Sequence, residues 1–300
     1  MWYFMCSKYN VGDMIIVITG ATSGIGFAAA AQLANKGAFV IGVGRDKQRC
    51  AEALQKISGD TPGARIRYIT ADLSSLRQVR DLSASIKSVA AETGNEKIDV
   101  LINNAGTFSN WYVSTEEGFE LQFAVNHLAP FLLTHELLPL LKNSEAGRII
   151  TVSSGSHYRT RIRWNDILMR KRYNCLLAYK QTKLANVLFT MELNRRLGPS
   201  SNVRAIAFDP GLVNTDIGLK GTAGIAKWIW QKRKNKGRSA DIPASEIVWL
   251  IENVDARETN DVYWKGCKPK APSPYSRRED AAARLWEISE KMCGVRWSAG

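Results

Sequence analysis

The stretch from Met14 to Gly37 restricts what this chain can fold into more than any other. Met14 to Ile18 is apolar and rich in β-branched residues, Thr19-Gly20-Ala21-Thr22-Ser23-Gly24-Ile25-Gly26 follows, and an Ala-rich helical run ends at Gly37. Strand, glycine turn and helix in that order suit the binding of a pyrophosphate. The glycines permit a tight turn and close backbone approach, and the helix N-terminus offers unpaired N–H groups and the positive end of its dipole.

The alternation continues to the end of the chain. Apolar runs predict strands at Ala38–Val43, Arg65–Thr70, Ile98–Ile102, Arg148–Val152, Val203–Phe208 and Val262–Trp264. Between them helices are expected at Lys47–Ser58, from Asp72 to about Glu92, over Thr115–Lys142, around Tyr179, at Ala244–Asn253 and at Arg278–Met292. Alternating β and α segments argue for an α/β fold, a doubly wound parallel sheet of about seven strands with helices on both faces. One domain is expected over residues 14–292, with an extension at 1–13 and a tail at 293–300. The Gly/Ser/Lys-rich segment Gly218–Ser239 reads as an insertion, and residues 216–240 as a substrate lid.

Composition narrows the function classes. The five cysteines lack a C-x-x-C pair and the three histidines lack metal-ligand spacing. Reduced thiols, an intracellular, cytoplasmic setting and no metal site are therefore expected. The net charge of +13 gathers at Arg159, Arg161, Arg163, Arg170, Lys171 and Arg172 and again at Lys232, Arg233, Lys234, Lys236 and Arg238. Neither group carries a zinc-finger or RNA-binding signature, so nucleic acid is not an expected partner. An anionic membrane, a highly phosphorylated cofactor and solvated loops stay open as explanations. No window approaches the roughly 18 apolar residues of a membrane span, and Met1 to Cys6 is apolar but short, without a basic leader or cleavage site.

Polar residues recur where strands end, which is where open α/β sheets bind ligands. The second strand ends in Gly44-Arg45-Asp46. An NAD site commonly has a carboxylate at that strand end for the ribose diol, whereas an arginine accommodates the 2′-phosphate of NADP. Arg45 therefore favours NADP(H) over NAD(H), and Asp46 reads as a helix N-cap. Asp72 either faces a ligand or caps the next helix, and Asn103-Asn104-Ala105-Gly106 offers small residues for close packing against a cofactor. Asn126, in an apolar setting, is a hydrogen-bond hub or part of a site. Ser153-Ser154-Gly155 and Asp209-Pro210-Gly211-Leu212-Val213-Asn214-Thr215 follow two later strands. Tyr179 and Lys183 stand four apart in a helix-forming run and so share a face. A nearby ammonium favours the phenolate, which predicts that Lys183 draws the Tyr179 pKa down toward useful proton exchange.

Taken together these residues resemble the short-chain dehydrogenase/reductase family, whose fold is of the Rossmann type, over nearly the whole chain from Met14 to about Met292. Thr19–Gly26 is similar to TGxxxGxG, Asn103–Gly106 to NNAG, Tyr179–Lys183 to YxxxK and Pro210-Gly211 to the PG turn. Val125–Leu128, Val152–Ser154, Lys183–Asn186 and Arg284–Ser289 resemble the retinol dehydrogenase-like branch more closely. The resemblance implies a catalytic tetrad of Asn126, Ser154, Tyr179 and Lys183. Ser154 would bind the substrate oxygen, Tyr179 exchange the proton, Lys183 tune Tyr179 and bind the nicotinamide ribose, and Asn126 support Lys183 through a water.

It also implies cofactor contacts at Gly20, Thr22, Ser23, Gly24, Ile25, Gly26, Arg45, Asp72, Leu73, Asn103, Ala105, Gly106, Tyr179, Lys183, Pro210, Gly211, Val213 and Thr215. Ser154 and Tyr179 lie 25 positions apart, longer than usual in the family and comparable to the extension of that branch. His157, inside the extension, reads as packed or solvated more readily than as a substrate contact.

The expected chemistry is hydride transfer between NADP(H) and a small-molecule carbonyl or alcohol. Phe108, Trp111, Trp164, Trp228 and Trp230 suit a bulky apolar substrate or pack as core and lid. Tryptophans among basic residues at 225–238 suggest peripheral membrane contact, with a mobile lid as the counter-reading. Homo-oligomerisation stays open. The rival reading, a non-catalytic NADP-binding regulator, is disfavoured by the intact tetrad.

Overall fold

A parallel strand covered by helices on both faces has no polar face to show, and the apolar runs of this sequence are short enough to be such strands. In the computed structural model, which describes residues 8–214, 237–255 and 259–297, they form one sheet. The parallel strands are β1 (Ile15–Thr19), β2 (Phe39–Gly44), β3 (Ile66–Thr70), β4 (Val100–Asn103), β5 (Gly147–Val152), β6 (Val203–Phe208) and β7 (Tyr263–Lys265). Every residue of β1, β2, β4 and β5 is buried. The order β3-β2-β1-β4-β5-β6-β7-β8 puts β2 on one side of β1 and β4 on the other, with Ile16 opposite both Val40 and Val100. The connections leave β1 in opposite directions, which opens a crevice beyond the carboxyl ends of the strands.

Among the described residues an eighth strand, β8 (Lys268–Pro269), adds to the seven parallel strands, in line with the about seven expected. It folds back antiparallel on β7 through Gly266 and Cys267, both at positive φ (59° and 58°). Two such residues make the tight hairpin turn whose twist matches paired strands, and a two-residue strand is too short to leave an alternating pattern.

The helices divide between the faces. Helices α1 (Gly24–Asn35), α2 (Lys47–Asp60) and α7 (Asp241–Asn253) cover Ile16, Ile18, Val100, Ile102, Ile150 and Ile206. On the other face α3 (Leu76–Glu92), α5 (Ala129–Lys142), α6 (Cys175–Leu197) and α8 (Glu279–Cys293) cover Ile15, Val17, Leu101 and Ile149. Alternate residues of each strand thus feed two cores. The helix at 241 starts three residues before its expected Ala244.

The expected single helix over Thr115–Lys142 is altered in two ways. Ser114 bridges to Glu120 across a turn in which Gly118 has φ +78°, so helix starts only at α4 (Leu121–Phe123). The Glu120 carboxylate fixes that start by accepting the N–H groups of Gln122 (3.0 Å) and Phe123 (2.8 Å). Ala124–Leu128 then winds as a π-turn before α5. A π-turn inserts an extra residue without changing the hydrophobic spacing much, so periodicity does not announce it.

Of the expected lid, residues 216–236 lie outside the described residues, as do Thr215, Trp228, Trp230 and most of the proposed membrane segment. Its end is anchored. Arg238 bonds both carboxylate oxygens of Glu246 (2.5 and 2.8 Å) and the Pro210 carbonyl. Among the described residues no helix is long and apolar enough to cross a membrane.

Candidate active site

A cleft of about 670 Å³ runs along the carboxyl ends of the strands, within the range of small-molecule sites. One half is built by missing side chains. A Cβ on Gly20 (φ +70°) would come within 2.9 Å of Ala105 Cα, and one on Gly26 within 2.4 Å of the Gly20 carbonyl oxygen. A Cβ on Gly44 would strike Thr22 Cγ2 at 2.5 Å and Cys50 Sγ at 2.6 Å. A side chain at Gly44 would have to displace Thr22 and Cys50, and as glycine the strand end carries no carboxylate. Ser23 precedes α1 without a side-chain capping bond, so the first turn presents its N–H groups toward the cleft.

Two strand ends are stapled together here. Thr19 Oγ1 accepts the N–H groups of Asn104 and Ala105, each at 3.0 Å, while Asn104 Nδ2 donates to the Thr19 carbonyl at 2.8 Å. Asn104, Ala105 and Gly106 line the cleft. Asn103 does not: its buried amide donates to Thr134 of α5 at 3.1 Å. The side chain of Asn103, expected among the cofactor contacts, packs against α5, and its neighbour Asn104 faces the cleft, because alternate strand residues point to opposite sides.

Arg45 and Arg49 line the far end of the cleft beside Asp46. Asp46 caps α2 as expected, accepting the Arg49 N–H at 2.8 Å. Arg49 escaped the sequence reading, although its place one turn inside the helix from Arg45 was a signal. Asp72 and Leu73 line the cleft, and the Asp72 carboxylate is turned onto Ser74 N and Oγ (2.9 and 2.8 Å).

The other half is built from side chains. Ser154, Tyr179 and Lys183, from the end of β5 and from α6, meet at the cleft wall. The Ser153 hydroxyl donates to the Lys183 carbonyl at 2.8 Å, and Lys183 Nζ donates to the Val152 carbonyl at 3.0 Å. These bonds seat α6 on β5. Lys183 Nζ stands 5.6 Å from the Tyr179 ring centre. Asn126 lies in the π-turn behind them, fully buried. It accepts the Thr107 N–H at 2.7 Å and donates to the Thr107 carbonyl (3.0 Å) and Thr182 Oγ1 (3.1 Å). The hub reading of Asn126 describes this side chain, which joins the loop after β4 to α6.

The electrostatics reverse one expectation. Burial, and secondly the Asp209 carboxylate, push the Tyr179 phenol up to about 12. Burial also draws the Lys183 ammonium down to about 8. Burial moves both groups toward their neutral forms, which for Tyr179 is the opposite direction from the one that an ammonium one turn away predicts. Tyr179 is a phenol, and hence a proton donor, at neutral pH.

Phe108 packs edge-on to Tyr179, with ring centres 5.9 Å apart. Trp111 is 67% exposed, and Trp164 packs with the core under Arg284, away from the cleft. Leu121, Val125, Leu176 and Leu212 supply the apolar lining instead, with Leu176 and Leu212 widely exposed. For Leu176 the only sequence signal was an apolar residue where a helix start favours polar ones. Pro210, Gly211 and Val213 line the same cleft, and the Asp209 carboxylate holds the turn through the Gly211 N–H at 2.9 Å.

The short chain dehydrogenase family model matches residues 14–224. Among curated proteins, human (Homo sapiens) retinol dehydrogenase 13 is 37% identical over 96% of this chain and 87% of its own length. Human retinol dehydrogenase 14 is also 37% identical, over 93% and 86%. Among solved structures, an uncharacterized protein from Mycobacterium Paratuberculosis superposes with a TM-score of 0.75 at 32% identity, covering 97% of this chain and 99% of that one. The angucycline C-6 ketoreductase LanV with bound NADP gives 0.67 at 25% identity, covering 86% and 95%.

Proposed function

The chain belongs to the short chain dehydrogenase family, whose oxidoreductases act on a CH–OH/C=O pair with a nicotinamide cofactor, and from that premise we propose an NADP(H)-dependent enzyme for bulky, apolar alcohols and carbonyls. One observation carries the cofactor choice. Arg45 and Arg49 line the cleft at a strand end that is Gly44 and so carries no carboxylate, and the Asp46 carboxylate caps α2. Two guanidinium groups there suit a 2′-phosphate. The NADP held by LanV supports the same reading. Leu121, Val125, Leu176 and Leu212 favour an apolar substrate, in line with the retinol dehydrogenases among the relatives.

The bound cofactor supplies or accepts the hydride. Gly20 and the first turn of α1 would hold its pyrophosphate, Asp72, Leu73 and Asn104–Gly106 would border its adenosine, and Pro210–Val213 would border the nicotinamide end. Ser154 binds the reacting oxygen, and the Tyr179 phenol, protonated at neutral pH, gives that oxygen its proton in reduction. Lys183 in its ammonium form supports Tyr179 and the ribose, and Asn126 holds the loop and helix that carry them. The test is turnover of decanal and all-trans-retinal with NADPH and with NADH. Oxidation of NADPH at a kcat/KM at least about tenfold above that for NADH is expected. Equal use of the two cofactors would reject the Arg45 and Arg49 assignment, and no turnover of either aldehyde would reject the substrate class.

A further inference from the structure

His157 is completely buried, in the 3-10 turn that follows Ser154, yet both ring nitrogens have partners. Nδ1 lies 2.8 Å from the Ser154 carbonyl oxygen, which also accepts the His157 backbone N–H at 3.1 Å. A carbonyl only accepts, so Nδ1 carries a proton. Nε2 receives the backbone N–H of Ser273 at 3.1 Å. An N–H only donates, so Nε2 carries none. The two backbone partners fix the ring as the neutral Nδ1–H tautomer.

The surroundings support that state. Burial holds the His157 pKa below its ordinary value and Lys270 adds to this, while the Ser154 bond and the Asp209 carboxylate act in the opposite direction. The rings of Tyr158 and Tyr263 close around it, with centres 4.1 and 4.8 Å away. The far anchor is itself braced. The Tyr158 hydroxyl donates to the Ala271 carbonyl, Lys270 N–H to the Tyr263 carbonyl at 2.8 Å, and Ser276 Oγ to the Ser273 carbonyl at 2.7 Å. The turn after β5 is thus tied to the segment after the β7–β8 hairpin.

Resting on the reading of Ser154 as the group that binds the reacting oxygen, we propose that His157 is a positioning residue: its neutral ring bridges the Ser154 carbonyl to the Ser273 N–H and thereby sets where the Ser154 hydroxyl stands. Ser154 has an extended backbone (φ −169°, ψ 152°) and its Oγ accepts the Ser156 N–H at 3.1 Å, so movement of this turn displaces the hydroxyl. Small displacements of such a group cost rate steeply.

The test uses the full chain with NADPH and decanal. His157→Phe keeps an aromatic ring against Tyr158 and Tyr263 but loses both hydrogen bonds, and kcat falls about tenfold to a hundredfold with the NADPH KM unchanged. His157→Asn retains a donor toward Ser154 and recovers more of kcat than His157→Gln, which retains an acceptor toward Ser273. In a Ser154→Ala background, His157→Phe lowers kcat no further. Additive losses overturn the proposal, and so does full kcat in His157→Phe. A Ser154→Ala variant with unchanged kcat instead refutes the role of Ser154 and removes the premise. Nitrogen NMR of ¹⁵N-histidine-labelled wild-type protein reads the geometry without turnover. His157 appears as the Nδ1–H tautomer and does not titrate between about pH 5 and 8; an Nε2–H tautomer or a midpoint in that window overturns the bridge.

Discussion

The two halves of the cleft are built on different principles. Around β1, β2 and β4 the wall is backbone, shaped by the absence of Cβ atoms at Gly20, Gly26 and Gly44 and by the staple from Thr19 to Asn104 and Ala105. Around β5, β6 and α6 it is side chains, with Lys183 and Asn126 buried and the Tyr179 phenol raised by its surroundings. A backbone wall recognises a group shared by every nicotinamide dinucleotide and tolerates little change in shape. A wall of buried polar side chains stores its function in protonation states, which cost stability to maintain. The first half should therefore fail through structure when altered, and the second through chemistry.

The sharpest separation comes from Tyr179→Phe. Removing one hydroxyl should lower kcat at least about a thousandfold, since proton transfer by a positioned group contributes factors of that order. NADPH affinity, read by fluorescence titration, should stay within about twofold. Comparable turnover in the variant would break the assignment of the proton donor.

Gly26→Ala is the counterpart in the backbone half. Its Cβ would lie 2.4 Å from both the Gly20 carbonyl oxygen and Asn104 Nδ2. Thermal and urea unfolding should show a loss of about 1–3 kcal/mol, the range of overpacking changes, accompanied by loss of NADPH binding. An unchanged melting temperature would mean that α1 yields more easily than this contact implies.

Lys183→Met should split stability from activity. The folded Lys183 pKa, about 8, lies below its ordinary 10.5. Below pH 8 both the folded and the unfolded chain hold the proton, so the full penalty of burying the charge is present. It is relieved as pH rises from about 8 toward 10.5, where only the unfolded chain keeps the proton. At pH 7 the methionine variant should be more stable by about 1–3 kcal/mol and nearly inactive. In the wild type, kcat/KM for reduction should fall above about pH 8 as Lys183 becomes neutral. A flat profile through pH 9 would sever the ammonium from catalysis.

The smallest expected effect is at the rim. Arg45→Ala should raise the NADPH KM about tenfold and leave the NADH KM alone, a charge-assisted hydrogen bond being worth about 1.5–3 kcal/mol. An equal change for both cofactors would place Arg45 against the shared pyrophosphate instead of the 2′-phosphate.

Legibility follows the same division. The glycine turn, the strand ends and the Asp46 cap are local patterns, and they stand where the spacing put them. The π-turn at Asn126 was hidden inside an apolar stretch that keeps helical spacing, while the turn at Gly118 and Glu120 and the two-residue β8 lie in short polar segments with no periodicity to mark them. Neighbours were exchanged at Asn103 and Asn104, because an apolar strand reveals its course before it reveals which face each residue takes. Leu176 carried no motif at all, and Leu212 was legible only as a member of the segment that follows Pro210-Gly211. The bond between His157 and Ser273 spans most of the C-terminal half of the chain, and no local signal reports such a pairing.

By itself the sequence determined the parallel order of strands and helices, the glycine cradle at the end of β1, and the sharing of one helix face by Tyr179 and Lys183, because each depends on spacing within a few residues. Only the tertiary structure decided that Ser154 joins them, that Asn126 is a buried hub, and that burial raises the Tyr179 pKa while lowering that of Lys183. Burial and charge act through space and sum over groups far apart in the chain, so a helical turn that reads as an activating pair in the sequence becomes a proton donor beside a desolvated ammonium in the fold.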